Sequence, residues 1–214
     1  MKRSIVLSIV ALIAHSVCVL PCDAASGGIA QKKVSGCHIE EFGAYNAVRD
    51  IAQKANVVIG IEAVLPERDI TVAFDFPGGT VSDLLDMFVS QAPDYAWKEV
   101  PGGIIHVSRK DHEVSLTNVA ISYPGAYNKT REQIWEDIAE RPEVLAWMNS
   151  AHCSRGDLFN GKEFRNHNEP ISVDESFLTL AQLLDGAAVK SGVNYWAVLQ
   201  SPSNDPCRIY IKLW

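Results

Sequence analysis

The sequence predicts an α+β chain made of two tandem βαβ-type units, each with helices packed on small mixed sheets. Three observations predict it. The stretch "TVSDLLDMFVSQAPDYAWKEVPGGIIHV", Thr80 to Val107, sets an apolar-striped helix before a hairpin. Almost the same order returns at "FLTLAQLLDGAAVKSGVNYWAVLQSPSNDPCRIYIKLW", Phe177 to Trp214. Around both, hydrophobic spacing switches between the three-and-four period of helices and the alternation of strands.

The chain opens "MKRSIVLSIVALIAHSVCVLPCDAASGG". Lys2 and Arg3 precede an apolar run from Ser4 to Leu20, then Pro21 and small residues. That is the pattern of a secretory signal peptide, with cleavage expected after Ala24 or Ser26. An uncleaved anchor is the alternative, although the run is marginal for a membrane span. Residues 25–36 read as a flexible mature N-terminus, 37–110 as the first unit and 111–214 as the second, divergent one.

In the first unit, Ala44, Ala47, Val48, Ile51, Ala52 and Ala55 lie at amphipathic-helix spacing. "NVVIGI", Asn56 to Ile61, is short and β-branched, so it reads as a buried strand. Pro66 to Asp69 reads as a polar loop. Ile70, Val72 and Phe74 alternate with polar or small residues as a half-buried strand, ended by Pro77-Gly78-Gly79. Thr80 is an N-cap with Asp83 three residues on. Val81, Leu84, Leu85, Phe88 and Val89 form the buried stripe of the helix, and Pro93 stops it. Two strands around Pro101-Gly102-Gly103 complete a hairpin.

Lys110 to Glu113 is the charged boundary. Val114 to Ser122 reads as a strand and "YPGAYNK" as a loop. Thr130 with Gln133 starts a helix carrying Ile134, Trp135 and Ile138. Pro142 suits the first turn of another helix, carrying Val144, Leu145, Trp147 and Met148. Cys153 to Pro170 is a long polar loop. Ile171 and Val173 begin the second copy. Its helix, read from Phe177, is lined by Leu180, Leu183, Leu184 and Ala187, with Gly192 as the C′ residue. "NYWAV" and "RIYIKLW" close as a hairpin.

Composition narrows the function classes. The chain has a formal charge of −7. Loss of Lys2, Arg3 and Asp23 leaves 17 basic against 25 acidic residues, or −8. That charge speaks against nucleic acid and against charge-driven docking on anionic lipid. No segment after the export signal is apolar enough to predict an integral membrane span.

"YNAVRDIAQKANVVIGIEAVL" and "ITVAFDFPGGTVSDLLDMFVSQAPDYAWKEVPGGIIHV" together resemble the short N-terminal domain of secretins and TonB-dependent transducers. The resemblance covers about Cys37 to Val107 in that family's order of elements. The chain departs from the family at Ala92-Pro93-Asp94, where a glycine is common before the hairpin. The second unit resembles it only from Ile171 onward. The resemblance implies a periplasmic, non-enzymatic module that binds an envelope or outer-membrane protein. It implies no catalytic residues, cofactor or metal.

Cys37, Cys153 and Cys207 remain after signal removal. An exported cysteine is more often bridged than catalytic. Cys153 is therefore expected to pair with Cys207, tying down the polar loop, with Cys37 free. The rival pairing joins Cys37 to either. The enzymatic alternative is a small hydrolase using Cys153 with His152 or His167. Neighbours on a helix point about 100° apart, which places His152 badly as the base. The Cys and His spacings match no metal site. His106 reads as a partly buried strand residue. Asp86 and Asp185 recur beside the Leu-Leu pairs, where the plain reading is a solvated helix position. "RGD" at Arg155 and "NKT" at Asn128 are short coincidences. Tyr95, Trp97, Tyr195 and Trp196 recur at equivalent hairpins. Core packing is their default, but any ring turned outward becomes a partner-binding hot spot. A glycan-binding or peptidoglycan-binding use of those rings is the third possibility.

Overall fold

The computed structural model describes residues 28–65, 70–111, 116–156, 170–174, 176–201 and 207–213. Residues 1–27, which include the expected signal peptide, the Pro66–Asp69 loop, the 112–115 link, and most of the polar stretch before Pro170, with His167, lie outside them. Five α-helices and twelve strands are present among the described residues, an α+β fold.

In chain order they are β1 (Lys33–Phe42), α1 (Ala44–Ala55), β2 (Ile59–Val64), β3 (Thr71–Thr80), α2 (Val81–Gln91), β4 (Tyr95–Val100) and β5 (Ile104–Arg109). The second unit adds β6 (Ala120–Tyr123), β7 (Ala126–Lys129), α3 (Arg131–Ala139), α4 (Pro142–Ser150) and β8 (Ser154–Arg155). It ends with β9 (Ile171–Val173), β10 (Ser176–Thr179), α5 (Leu180–Ser191), β11 (Tyr195–Gln200) and β12 (Arg208–Leu213).

The repeat expected from sequence is carried by the topology. In the first unit β4 and β5 form an antiparallel hairpin, and β2 lies parallel to β5. In the second, β11 and β12 form the hairpin and β8 lies parallel to β12. β1 pairs with β3, as β6 pairs with β10 and β7 with β9. The helices after β3 and β10 start with the same device, a full capping box, at Thr80 with Asp83 and at Thr179 with Gln182. Thr130 with Gln133 makes a third.

The two units do not keep separate sheets. β2 of the first pairs in parallel with β11 of the second over six residues, from Tyr195↔Ile59 to Gln200↔Val64. One six-stranded sheet results, in the order β4-β5-β2-β11-β12-β8. Side chains alternate between the faces of a strand, and the two cores sort accordingly. Tyr195, Ala197 and Leu199 join the core of α1 and α2, with Ile59, Ile61, Ile105 and Val107. Trp196 and Val198 join the core of α5, α3 and α4, with Ile209 and Ile211. The helices of the two units therefore cover opposite faces of a common sheet. β11 is buried on both faces, which explains its unbroken apolar run.

Several elements differ from the sequence reading. β1 begins at Lys33, so residues 33–36 are paired strand rather than a flexible lead-in. Only Val34 and Ile39 of β1 are buried, too few to give an alternating signal. β2 starts at Ile59, because Asn56 caps α1 in the left-handed region at φ 50°. Pro77-Gly78-Gly79 does not end β3, which runs on opposite Lys33 to Ser35. "YPGAYNK" contains strand β7, and Leu116–Asn118 is a 3₁₀ turn where a strand was expected. The last helix starts at Leu180, not Phe177, because Thr179 caps it and Ser176–Thr179 pairs with β6.

Candidate functional site

The sheet seam brings chemistry together that neither unit holds alone. α5 presents Asp185, which is 6% exposed. Trp196, on β11, donates its indole N–H to Asp185 Oδ1 at 2.8 Å. His106, from β5 of the other unit, places Nε2 at 3.0 Å from both carboxylate oxygens. The imidazole meets the Trp196 ring edge-on at 5.3 Å between centroids.

This geometry depends on a glycine. Between β11 and β5 lies β2, and the indole of Trp196 passes over it at Gly60. A β-carbon built on Gly60 would fall 2.0 Å from the ring. In register, Gly60 faces Trp196 on one side and His106 on the other. The Asp185 carboxylate thus joins one unit's helix to the other unit's hairpin. The reading of Asp185 as a solvated position is corrected: it is buried, and it accepts from Trp196. His106 is partly buried on its strand, as expected.

Beside this triad, at the first turn of α5, lies a cleft of about 80 Å³. Glu62, Lys98, His106, Ser108, Asn118 and Trp196 line it. Ser108 follows His106 by two residues on the same strand face. Among the described residues it makes no hydrogen bond to the imidazole. The cleft can hold a small polar solute or water. Its histidine is oriented by a carboxylate. No group of three or more His, Cys, Asp or Glu among the described residues is placed to hold a metal.

The first unit carries the same pair at its outer edge. Trp97 on β4 donates to Asp86 Oδ1 of α2 at 2.8 Å, across 11 residues, as Trp196 does to Asp185 across 11. Here the pair is solvent-accessible. β4 ends the sheet order, with no strand on its outer side among the described residues.

The predicted site residues separate cleanly. Tyr95 is fully buried, and Tyr195 and Trp196 are each 1% exposed, so these three build the cores and are withdrawn as surface hot spots. Trp97 alone stays half-buried at an edge. Cys153 and Cys207 form a disulfide, Cα–Cα 4.4 Å, and Cys37 is free, as the sequence predicts. Burial pushes the Cys37 thiol pKa up, against a smaller opposing pull from Lys54. The Asp–Trp interval was readable, since both aspartates and both tryptophans recur. Gly60 gave no such signal, because a strand glycine has many reasons to exist. No protein-family model, curated protein or solved structure matches this chain.

Proposed function

We propose that the chain is an exported, periplasmic, non-enzymatic interaction module of the cell envelope, and that it binds an envelope protein through the open edge of β4. The observation that carries this is the sheet order, in which β4 is an end strand with no strand on its outer side among the described residues. An unpaired strand offers a row of backbone donors and acceptors to a partner strand. The resemblance of residues 37–107 to the secretin and TonB short N-terminal domain supports the same reading. So does the disulfide, which suits an oxidising compartment. No helix among the described residues is long and apolar enough to cross a membrane.

The two alternatives lose support. A hydrolase using Cys153 needs a thiolate, and that sulfur is bonded to Cys207. A glycan site would want an exposed aromatic platform, yet Tyr95, Tyr195 and Trp196 are buried.

The test is site-specific photo-crosslinking in cells of the source organism. A photoreactive residue replaces Lys98, which is exposed on β4. The control position is Glu140, exposed beyond α3. A discrete adduct with an envelope protein from position 98, absent from position 140, is expected. No adduct at 98 in the envelope fraction overturns the reading.

A further inference from the structure

The seam inside this molecule is a worked example of how one of its units receives a strand. β11 is the outer strand of a hairpin, its tryptophan bonded to a helix aspartate. Beside it runs β2, parallel, with Gly60 under the indole, and beyond it β5 turns His106 to the aspartate. β4 is the equivalent strand of the first unit, with the equivalent pair: Leu84, Leu85, Asp86 and Trp97 stand 99 positions before Leu183, Leu184, Asp185 and Trp196. The second pair is enclosed and the first is open. What differs between them is the strand that β11 has and β4 lacks.

We infer that the β4 edge receives a parallel strand from another folded protein, one that carries glycine beneath Trp97 and, on its next strand, a histidine, arginine or lysine that donates to Asp86. This deepens the interaction-module reading and rests on it. The glycine follows from the close approach, since any β-carbon in the equivalent place at Gly60 collides with the ring. The donor follows from charge: Asp185 has two donors at the seam, whereas Asp86 has Trp97 alone among the described residues. Parallel direction follows from the β2–β11 register. A second copy of the chain fits poorly through its six-stranded sheet, because the far edge of that sheet, β8, spans only two residues against six for β2, and β4 itself carries no glycine.

The probe is a lysine-flanked peptide copying residues 56–64, Asn-Val-Val-Ile-Gly-Ile-Glu-Ala-Val, the chain's own seam strand. It is titrated into the ¹⁵N-labelled full exported chain. Shifts at the Trp97 indole N–H and the β4 amides are expected. A peptide with valine for the glycine should bind at least about tenfold more weakly, the equivalent of 1.4 kcal/mol. Asp86→Asn, a solvent-accessible change that leaves the core intact, should weaken the binding of the same peptide extended into a hairpin that places a histidine opposite its glycine. No shift at β4, equal binding of the glycine and valine peptides, or shifts confined to β2 and β11 would each overturn the inference. Self-association of the unliganded chain through β4 would also overturn it. The outcomes separate from the crosslinking test. An adduct at position 98 without peptide binding keeps the interaction reading and removes this docking chemistry.

Discussion

The Trp196 indole donates to Asp185 at 2.8 Å while its ring passes over Gly60, where a β-carbon would lie 2.0 Å away. One hydrogen bond and one missing side chain thus let the indole cross the seam that the β2–β11 pairing makes. A tryptophan normally packs against its own strand neighbours. Here it spans a neighbouring strand to reach a histidine of the other unit.

Gly60→Ala should destabilise the chain by roughly 1–3 kcal/mol, because the ring cannot move without breaking its bond to Asp185. Gly186 supplies the contrast. It lies inside α5 and a β-carbon there meets nothing within 4 Å. Gly186→Ala should therefore stabilise by about 0.5–1 kcal/mol through helix propensity and a less flexible unfolded chain. Urea unfolding followed by tryptophan fluorescence reads both. A Gly60 variant as stable as the parent would mean that the indole is not held there.

The two aspartates should answer differently to the same change. Asp185→Ala leaves the Trp196 N–H and the His106 Nε2 without their acceptor in a buried seam. The loss is expected at roughly 1–3 kcal/mol for each orphaned donor. Asp86→Ala removes the same bond where water can replace it, and should cost under about 1 kcal/mol. Equal costs at the two sites would contradict the seam as described.

How far the sequence carried the fold depends on the kind of signal each element leaves. Thr80, Thr130 and Thr179 start helices through local side-chain chemistry, so their motifs were readable without tertiary information. The Leu84-Leu85 and Leu183-Leu184 stripes were readable for the same reason, and all four residues are 0–1% exposed. β1 was missed because it buries only Val34 and Ile39 and takes its order from β3. The shared sheet was hidden because parallel pairing of β2 with β11 joins positions 136 residues apart (59 to 195), and nothing local encodes it. The site suffered most from this. Tyr195 and Trp196 read by default as core aromatics, but nothing local says that β2 is the strand that covers their edge. Asp185 looks solvated until His106 arrives from the other unit.

Tyr123 is a site of pH sensitivity. Its ring is buried and its hydroxyl has no hydrogen-bond partner among the described residues. Burial, with a smaller push from the nearby Asp137 charge, raises its pKa from 10.0 to about 12. The unfolded chain then releases this proton more readily than the folded one. The contribution is complete below pH 10 and is lost as the pH rises from 10 through 12. Tyr123→Phe should abolish that part of the alkaline decline. At neutral pH it should cost under about 0.5 kcal/mol or stabilise, since no bond is broken and an orphaned hydroxyl is removed. Unfolding midpoints of parent and variant at pH 8 and 11 provide the check. A variant that declines as steeply as the parent would show that other groups govern the alkaline limb.

The disulfide should protect one strand above others. Cys153 and Cys207 close a separation of 54 residues, worth about 4 kcal/mol in the chain-entropy treatment. Next to the bridge, β8 holds to β12 by two residues and by the bonds Ser154 N–H to Cys207 O at 2.7 Å and Gly156 N–H to Ile209 O at 2.9 Å. β2, with six residues paired to β11, needs no such tie. Reduction, or Cys153→Ser with Cys207→Ser, should therefore cost hydrogen-exchange protection at the Ser154 and Gly156 amides first, while the Ile61 amide keeps its protection until global unfolding. Non-reducing peptide mapping of the native protein should find one linked pair, 153 with 207. Cys37, half-buried and with its thiol pKa pushed up, should react slowly with an alkylating reagent until the chain unfolds. A linked peptide containing Cys37, or simultaneous loss of protection at residues 61 and 154 on reduction, would refute the assignment.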